Sequence, residues 1–181
     1  MFAVRMATMV LALLSTGLVA GVFFAYAISV MPALARTSDR TLIEVMQKVN
    51  IVILNPWFMF AFMGTVGFTA LAAVLHLGSD QRATLIWIGV AVALNVIAFA
   101  VTAGMNVPLN EALDAAGDPS SMADAAAVRA NYEAAWVRWN IVRAVLNTAA
   151  FAVLCGAMFV AGVQHGNSSN AVAGQSMVSA R

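Results

Sequence analysis

TLIWIGVAVALNVIAFAVTAGM, residues Thr84–Met105, carries no charge, and the gap around it extends from Arg82 to Glu111. A bilayer core needs roughly 20 apolar residues of helix, and this stretch meets that length. Its apolar residues do not alternate with polar ones, and in hydrocarbon each backbone amide must be paired within its own segment. The stretch therefore reads as a membrane-spanning helix rather than a barrel strand. Outward from it, the same gap recurs from Arg5 to Arg36, from Lys48 to Asp80 and from Arg143 to Arg181. These gaps hold apolar runs near Met6–Met31, Ile51–Leu77 and Ile141–Val163.

Composition agrees. Of 181 residues, 62% are hydrophobic and 9% charged, and the mean hydropathy is +0.89. An ordinary soluble domain has about 25% charged residues, so a water-facing surface is excluded. A net charge of +1 gives no pull toward polyanions, so no nucleic-acid partner is expected. The single cysteine, Cys155, cannot form a disulfide within the chain. The first run begins after Arg5, as a signal peptide does, but it exceeds the roughly 7–15 apolar residues of a signal and reads as a retained span.

The expected fold class is all-α: an integral membrane four-transmembrane-helix bundle with short polar helices in the first and third loops. One domain covers residues 1–163, with spans at about 6–31, 51–77, 84–105 and 141–163. The Gly-, Ser-, Asn- and Gln-rich residues 164–181 read as a disordered tail. Both termini then share one side. Six Lys and Arg (Arg36, Arg40, Lys48, Arg129, Arg138, Arg143) fall on the other side, against three elsewhere. A positive-inside count puts the two loops in the cytoplasm, and removing arginines that belong to a site makes the sides nearly even.

In the first loop Thr41 and Glu44 read as a capping box opening a short helix that runs into the second span. In the third, Ser121 with Asp124 reads as the cap of one helix from Met122 to about Val163, roughly 60 Å at 1.5 Å per residue. Spans one and three are each expected to end at a proline, Pro32 and Pro108, on the same side, each followed by a polar helix, which suggests a duplicated hairpin. Gly17 and Gly21 form a GxxxG face, suited to close packing within the bundle or to oligomerisation.

Arg129, Glu133, Trp136, Asn140, Arg143 and Asn147 follow one another at spacings of 4, 3, 4, 3 and 4, which puts all six on one helix face. That stripe descends into the membrane, where an arginine costs about 2.5–3.5 kcal/mol on translocon scales. It forms either one wall of a polar pocket or the polar contacts that hold the bundle together; interhelical amide bonds contribute about 0.6 kcal/mol each. Asn50, Asn55, Asn106, Asn110 and Gln47 lie at the same level and supply further walls on the first reading. Arginine, amides and the indoles of Trp136 and Trp139 suit a flat oxygenated aromatic or quinone-like ligand. Trp136 and Trp139 equally suit an interfacial belt. His76 and His165 lie away from the stripe without partners at metal-ligand spacing, so no metal is expected.

Gly21-Val-Phe-Phe-Ala-Tyr26, Ser29-Val-Met-Pro32-Ala-Leu34, Met46-Gln-Lys-Val-Asn50, Leu54-Asn-Pro56, Asn106-Val-Pro-Leu-Asn110 and Trp136-Val-Arg-Trp-Asn140-Ile-Val-Arg143 occur in this order. Together they resemble the anthrone oxygenase family, small four-helix membrane proteins long catalogued as a domain of unknown function, over about residues 10–163. The likeness is to a bacterial member, which implies a multi-pass protein of the bacterial inner membrane. It implies oxidation of an anthrone-like polycyclic phenol by molecular oxygen as co-substrate, with no added organic cofactor. It further implies Arg143 for anion stabilisation, Asn140, Asn106 and Asn110 for oxygen contacts and Trp136 for stacking. Glu133 is the one carboxylate in the stripe available as a base. The rival expectation is a non-enzymatic membrane protein that holds a lipid, a quinone or a partner subunit in the same groove.

Overall fold

A computed structural model describes residues 1–78 and 81–179, with side chains as far as 167. The described residues are helical throughout their regular structure: α1 (Phe2–Ala25), α2 (Met31–Leu34), α3 (Asp39–Val52), α4 (Pro56–Leu75), α5 (Arg82–Val101), α6 (Val107–Ala115) and α7 (Ala125–Ser179), with π-helical turns at Tyr26–Val30 and Thr102–Asn106. Four of the resulting rods, Phe2–Leu34, Pro56–Leu75, Arg82–Ala115 and Ala125–Asn167, are long and apolar enough to cross a membrane. The chain is thus the all-helical multi-pass bundle that the charge gaps predict. The rods close a ring in the order α1, α4, α5, α7, each packed on its two neighbours.

In the bundle, many inward-facing residues are small, and many of the large ones lie outside. Ala12, Ala91, Ala150 and Ala157 are fully buried, while Leu18, Val145 and Phe159 lie on the outer surface. Lipid tails are as apolar as leucine, so close backbone approach and polar contacts must hold the helices together. A Cβ on Gly17 would meet Phe151 Cε2 at 2.9 Å, and one on Gly156 would meet Trp87 Cζ3 at 2.7 Å. Gly17 therefore serves contact within the bundle, whereas Gly21 faces open space. Midway, the amide of Asn95 on α5 donates to Thr16 Oγ1 at 3.3 Å, to the Thr65 carbonyl at 3.0 Å and to Thr69 Oγ1 at 3.1 Å. This knot joins three helices at a depth where no water competes.

The boundaries differ from the sequence expectation in several places. Spans one and three do not stop at their prolines. Pro32 and Pro108 lack an N–H and crowd the carbonyl one turn back, and the π-helical turn preceding each widens the helix enough to carry it on to Leu34 and Ala115. The third loop helix is thereby continuous with the third rod. The second span begins at Pro56 rather than at Ile51, because Asn55 accepts from the N–H groups of Trp57 and Phe58 and caps a new helix.

In the first loop Ser38, not Thr41, caps α3 by accepting the Thr41 N–H, and Glu44 instead pairs with Lys48. Asp124, not Ser121, caps α7, accepting from the Ala127 N–H at 2.9 Å. The backbone of α7 continues to Ser179, where the composition predicts a disordered tail from 164. Thr84 Oγ1 donates to Gln164 at 2.6 Å and His165 stacks on Phe2, so the next turn still meets the bundle. Residues 180–181 of that expected tail lie outside the described residues.

On the side of the two loops, a second core caps the bundle: Met31, Leu34, Leu42, Ile43, Met46, Leu113, Met122, Tyr132 and Trp136. Long polar side chains tie it together by reaching across to backbone carbonyls. Arg40 donates to those of Pro119, Ser120 and Met122, and Gln47 to those of Leu113 and Gly117. Gly117 sits at φ +87°, a conformation that favours glycine, where α6 turns back toward α7. Asp118 follows, and the Ser120 N–H donating to it at 2.8 Å holds its carboxyl below the usual range.

Candidate functional site

Between the bundle and its cap lies a cavity of about 540 Å³, within the usual size of small-molecule sites, roughly 300–1,000 Å³. Four walls enclose it. Val22, Phe23 and Tyr26 come from the end of α1 and its π-helical turn. Val49, Asn50, Ile51, Ile53 and Leu54 come from the end of α3 and the break after it, with Phe58, Met59 and Phe62 below on α4. Thr102, Val107, Asn110, Glu111 and Asp114 line the third side, and Trp136, Asn140 and Arg143 the fourth. Each π-helical turn thus delivers a residue to the cavity, Tyr26 and Thr102.

Arg143 is the electrostatic centre. Only 5% of it is exposed, and Asn140 Oδ1 accepts from its Nη2 at 3.0 Å. Its guanidinium carbon stands 4.1 Å from the Phe23 ring centroid and 5.6 Å from that of Trp136. Its Nε has no partner, and among the described residues no carboxylate comes within ion-pair distance of it. A buried cation held by one amide and two aromatic faces keeps most of its capacity for an anionic oxygen. The Asn50 Nδ2 is also buried without a partner, so two donors on different walls, α3 and α7, are left over.

The polar stripe on α7 divides by height. At the top Arg129 binds Glu133 at 2.6 Å and Asp39 at 3.0 Å, and donates to the carbonyls of Ala35 and Thr37. Arg129 thereby holds the first loop against α7. Glu133 does not line the cavity. Next, Trp136, Asn140 and Arg143 form the cavity wall. Asn140 is fixed by donating to the Phe23 carbonyl at 2.9 Å, and Trp136 by donating from Nε1 to Asn110 Oδ1 at 2.8 Å. Lowest, Asn147 turns back on its own helix, donating to the Arg143 carbonyl at 2.9 Å.

The other amides foreseen from sequence fall in different places. Asn110 and Asn50 line the cavity. Asn106 lies fully buried behind it, donating to the Trp136 carbonyl at 3.4 Å, its own Oδ1 unpaired. Asn55 is the cap of α4 and Gln47 a tie to α6, neither at the wall. Trp139 stands outside, with Arg138 5.4 Å from its ring centroid, in the manner of an interfacial residue.

Apart from Trp136, sequence reading misses the apolar and aromatic lining, Phe23 among it, and also Tyr26, Thr102, Glu111 and Asp114. Only the helical spacing Val107, Asn110, Glu111, Asp114, all on one face of α6, could have shown the two carboxylates turned with Asn110 toward the site. His76 is buried at the far end of α4 against the Ala72 carbonyl. Among the described residues no group of three His, Cys, Asp or Glu converges as metal ligands do.

Compared with known proteins, the chain matches the family model for anthrone oxygenase over residues 57–153, more than half its length. That match runs from α4 into α7 and includes the Asn110, Glu111, Asp114, Trp136, Asn140 and Arg143 positions. No curated protein and no solved structure matches it.

Proposed function

The chain belongs to the anthrone oxygenase family, and we propose that it oxidises an electron-rich polycyclic phenol with molecular oxygen in the cavity at the membrane surface. The observation that carries this reading is Arg143, a buried cation without a carboxylate partner among the described residues, set in an aromatic-walled cavity. Ring carbanions and phenolates of the anthrone type are electron-rich enough to give an electron to oxygen directly, so no organic cofactor enters the proposal. The protein contributes by binding the ring between Phe23, Tyr26 and Trp136 and by stabilising its anion at Arg143. Asn50 and Asn140 are the amides that direct the ring oxygens. The overall change converts a ring methylene and dioxygen to a ring carbonyl and water.

The test is oxygen uptake by membranes carrying the protein after addition of a hydroxylated anthrone, against empty membranes that report spontaneous autoxidation. Removing a preorganised anion-stabilising donor costs about 10²–10³ in turnover, and Arg143→Ala is expected to fall by that order while still inserting in the membrane. No uptake above background by correctly folded protein overturns the oxidation of that compound. It would favour the alternative reading, a binder of quinone or lipid in the same cavity.

A further inference from the structure

The oxidation just proposed begins with the loss of a proton, and Glu133, the carboxylate foreseen from sequence, is paired with Arg129 away from the cavity. On the side formed by α6 the cavity has two other carboxylates. Glu111 and Asp114 stand three residues apart on one helix face and line the cavity together with Asn110. Among the described residues neither is within ion-pair distance of a cation.

The face they occupy is held in place from both sides. Asn110 accepts from Trp136 Nε1 at 2.8 Å and from the Tyr132 hydroxyl at 3.3 Å. Gln47 donates to the Leu113 and Gly117 carbonyls at the other edge of the helix. Rotation of α6 that would withdraw the carboxylates therefore breaks bonds to both α3 and α7.

Both carboxylates are exposed, so each keeps contact with water while bordering the cavity. Arg143, nine-tenths buried with Nε unpartnered, lines the wall contributed by α7. A ligand between them meets a proton acceptor at the rim and a fixed positive charge inside. That polarity suits deprotonation. A carboxylate is too weak a base to ionise a carbon acid unless the anion formed is stabilised, and Arg143 supplies the stabilising charge.

We propose that the Glu111–Asp114 pair is the general base of the site. Resting on the oxidation reading above, the step is as follows. A carboxylate oxygen takes a proton from the ring methylene of the bound phenol. The C–H electron pair stays on the ring, delocalised onto its oxygen as an enolate–phenolate opposite Arg143. The carboxylic acid then returns its proton to water at the rim. No oxidant is consumed in this step; dioxygen accepts electrons only afterwards.

The experiment follows exchange of the methylene protons of a hydroxylated anthrone for deuterium, without oxygen, by protein in lipid nanodiscs in D₂O. General-base catalysis contributes about 10²–10⁴-fold. Glu111→Gln/Asp114→Asn is expected to slow exchange at neutral pH by at least about a hundredfold and to recover toward the parent rate at pH values where the anthrone ionises in solution. Glu44→Gln, on the loop helix away from the cavity, is the control expected to leave the rate unchanged. A double variant that exchanges as fast as the parent overturns the proposal. So does one that binds the anthrone but shows no recovery at high pH, and so does a parent that exchanges no faster than protein-free nanodiscs. Oxygen uptake measured in parallel separates the two claims. Exchange without uptake keeps the base and removes the oxidation, while uptake unaffected by the double variant keeps the oxidation and removes the base.

Discussion

Asn140→Asp places a carboxylate 3.0 Å from the Arg143 Nη2, where an amide oxygen now accepts. The new charge satisfies Arg143 internally and removes the donor to the Phe23 carbonyl. Affinity for a phenolate is expected to drop at least tenfold, read by equilibrium binding to detergent-solubilised protein. The Phe23 carbonyl keeps the Tyr26 N–H, so losing the side-chain bond costs about 0.5–1.5 kcal/mol, visible as a lower midpoint of unfolding. The geometry behind this outcome was partly legible from residue spacing. Periodicity put Arg129 through Asn147 on one face, but it could not say that Arg129 holds a loop while Asn140 and Arg143 face a cavity. That division depends on where the first loop lands, a contact across more than ninety residues of chain. Glu111 and Asp114 were hidden for the same reason, since a short amphipathic helix has no stated direction until its neighbours fix its rotation.

Among the elements, the glycines give opposite predictions. Gly156→Ala brings a methyl to 2.7 Å from the Trp87 ring, and overpacking of that kind costs about 1–3 kcal/mol. Gly21→Ala meets open space and removes the conformational cost of glycine in a helix, up to about 1 kcal/mol. Reversible unfolding in mixed micelles should therefore move in opposite directions for the two variants. A loss of self-association by Gly21→Ala, with stability unharmed, would separate a role between copies from one within the bundle. The number of membrane helices was readable from charge-free gaps because a single charge within hydrocarbon is costly enough to be kept out. Their ends were less readable. Hydropathy does not distinguish the helical residues Ile51 and Val52 from the capped start at Pro56, nor does it show that a proline is passed by a π-helical turn instead of ending the helix.

At the scale of the whole molecule, the two loops form one lid because arginine and glutamine side chains from one reach backbone carbonyls of the other. Arg40→Ala removes three such bonds, to Pro119, Ser120 and Met122. Limited proteolysis is expected to cut more quickly near Gly117–Ser121, while the membrane-embedded part stays protected. Because the acceptors are neutral carbonyls, adding salt should not reproduce the effect, as it would for an ion pair between exposed side chains. An arginine used this way still counts toward the charge asymmetry of the loops, so charge counting registers its presence but not its structural work.

The rim of the cavity has two unlike edges. Ile51 and Leu54, 70% and 66% exposed, stand just before the second rod begins at Pro56, and Glu111 and Asp114 stand on the edge contributed by α6. A molecule dissolved among acyl chains can thus reach the cavity without first crossing bulk water. Occupancy then follows the mole fraction of that molecule in the bilayer. At fixed total anthrone, doubling the lipid in a vesicle preparation should nearly halve an unsaturated initial rate although the overall concentration is unchanged. A rate that ignored added lipid would mean delivery from water. A rate that falls with added lipid would make surface dilution, rather than molarity, the scale on which this protein's apparent affinity should be expressed.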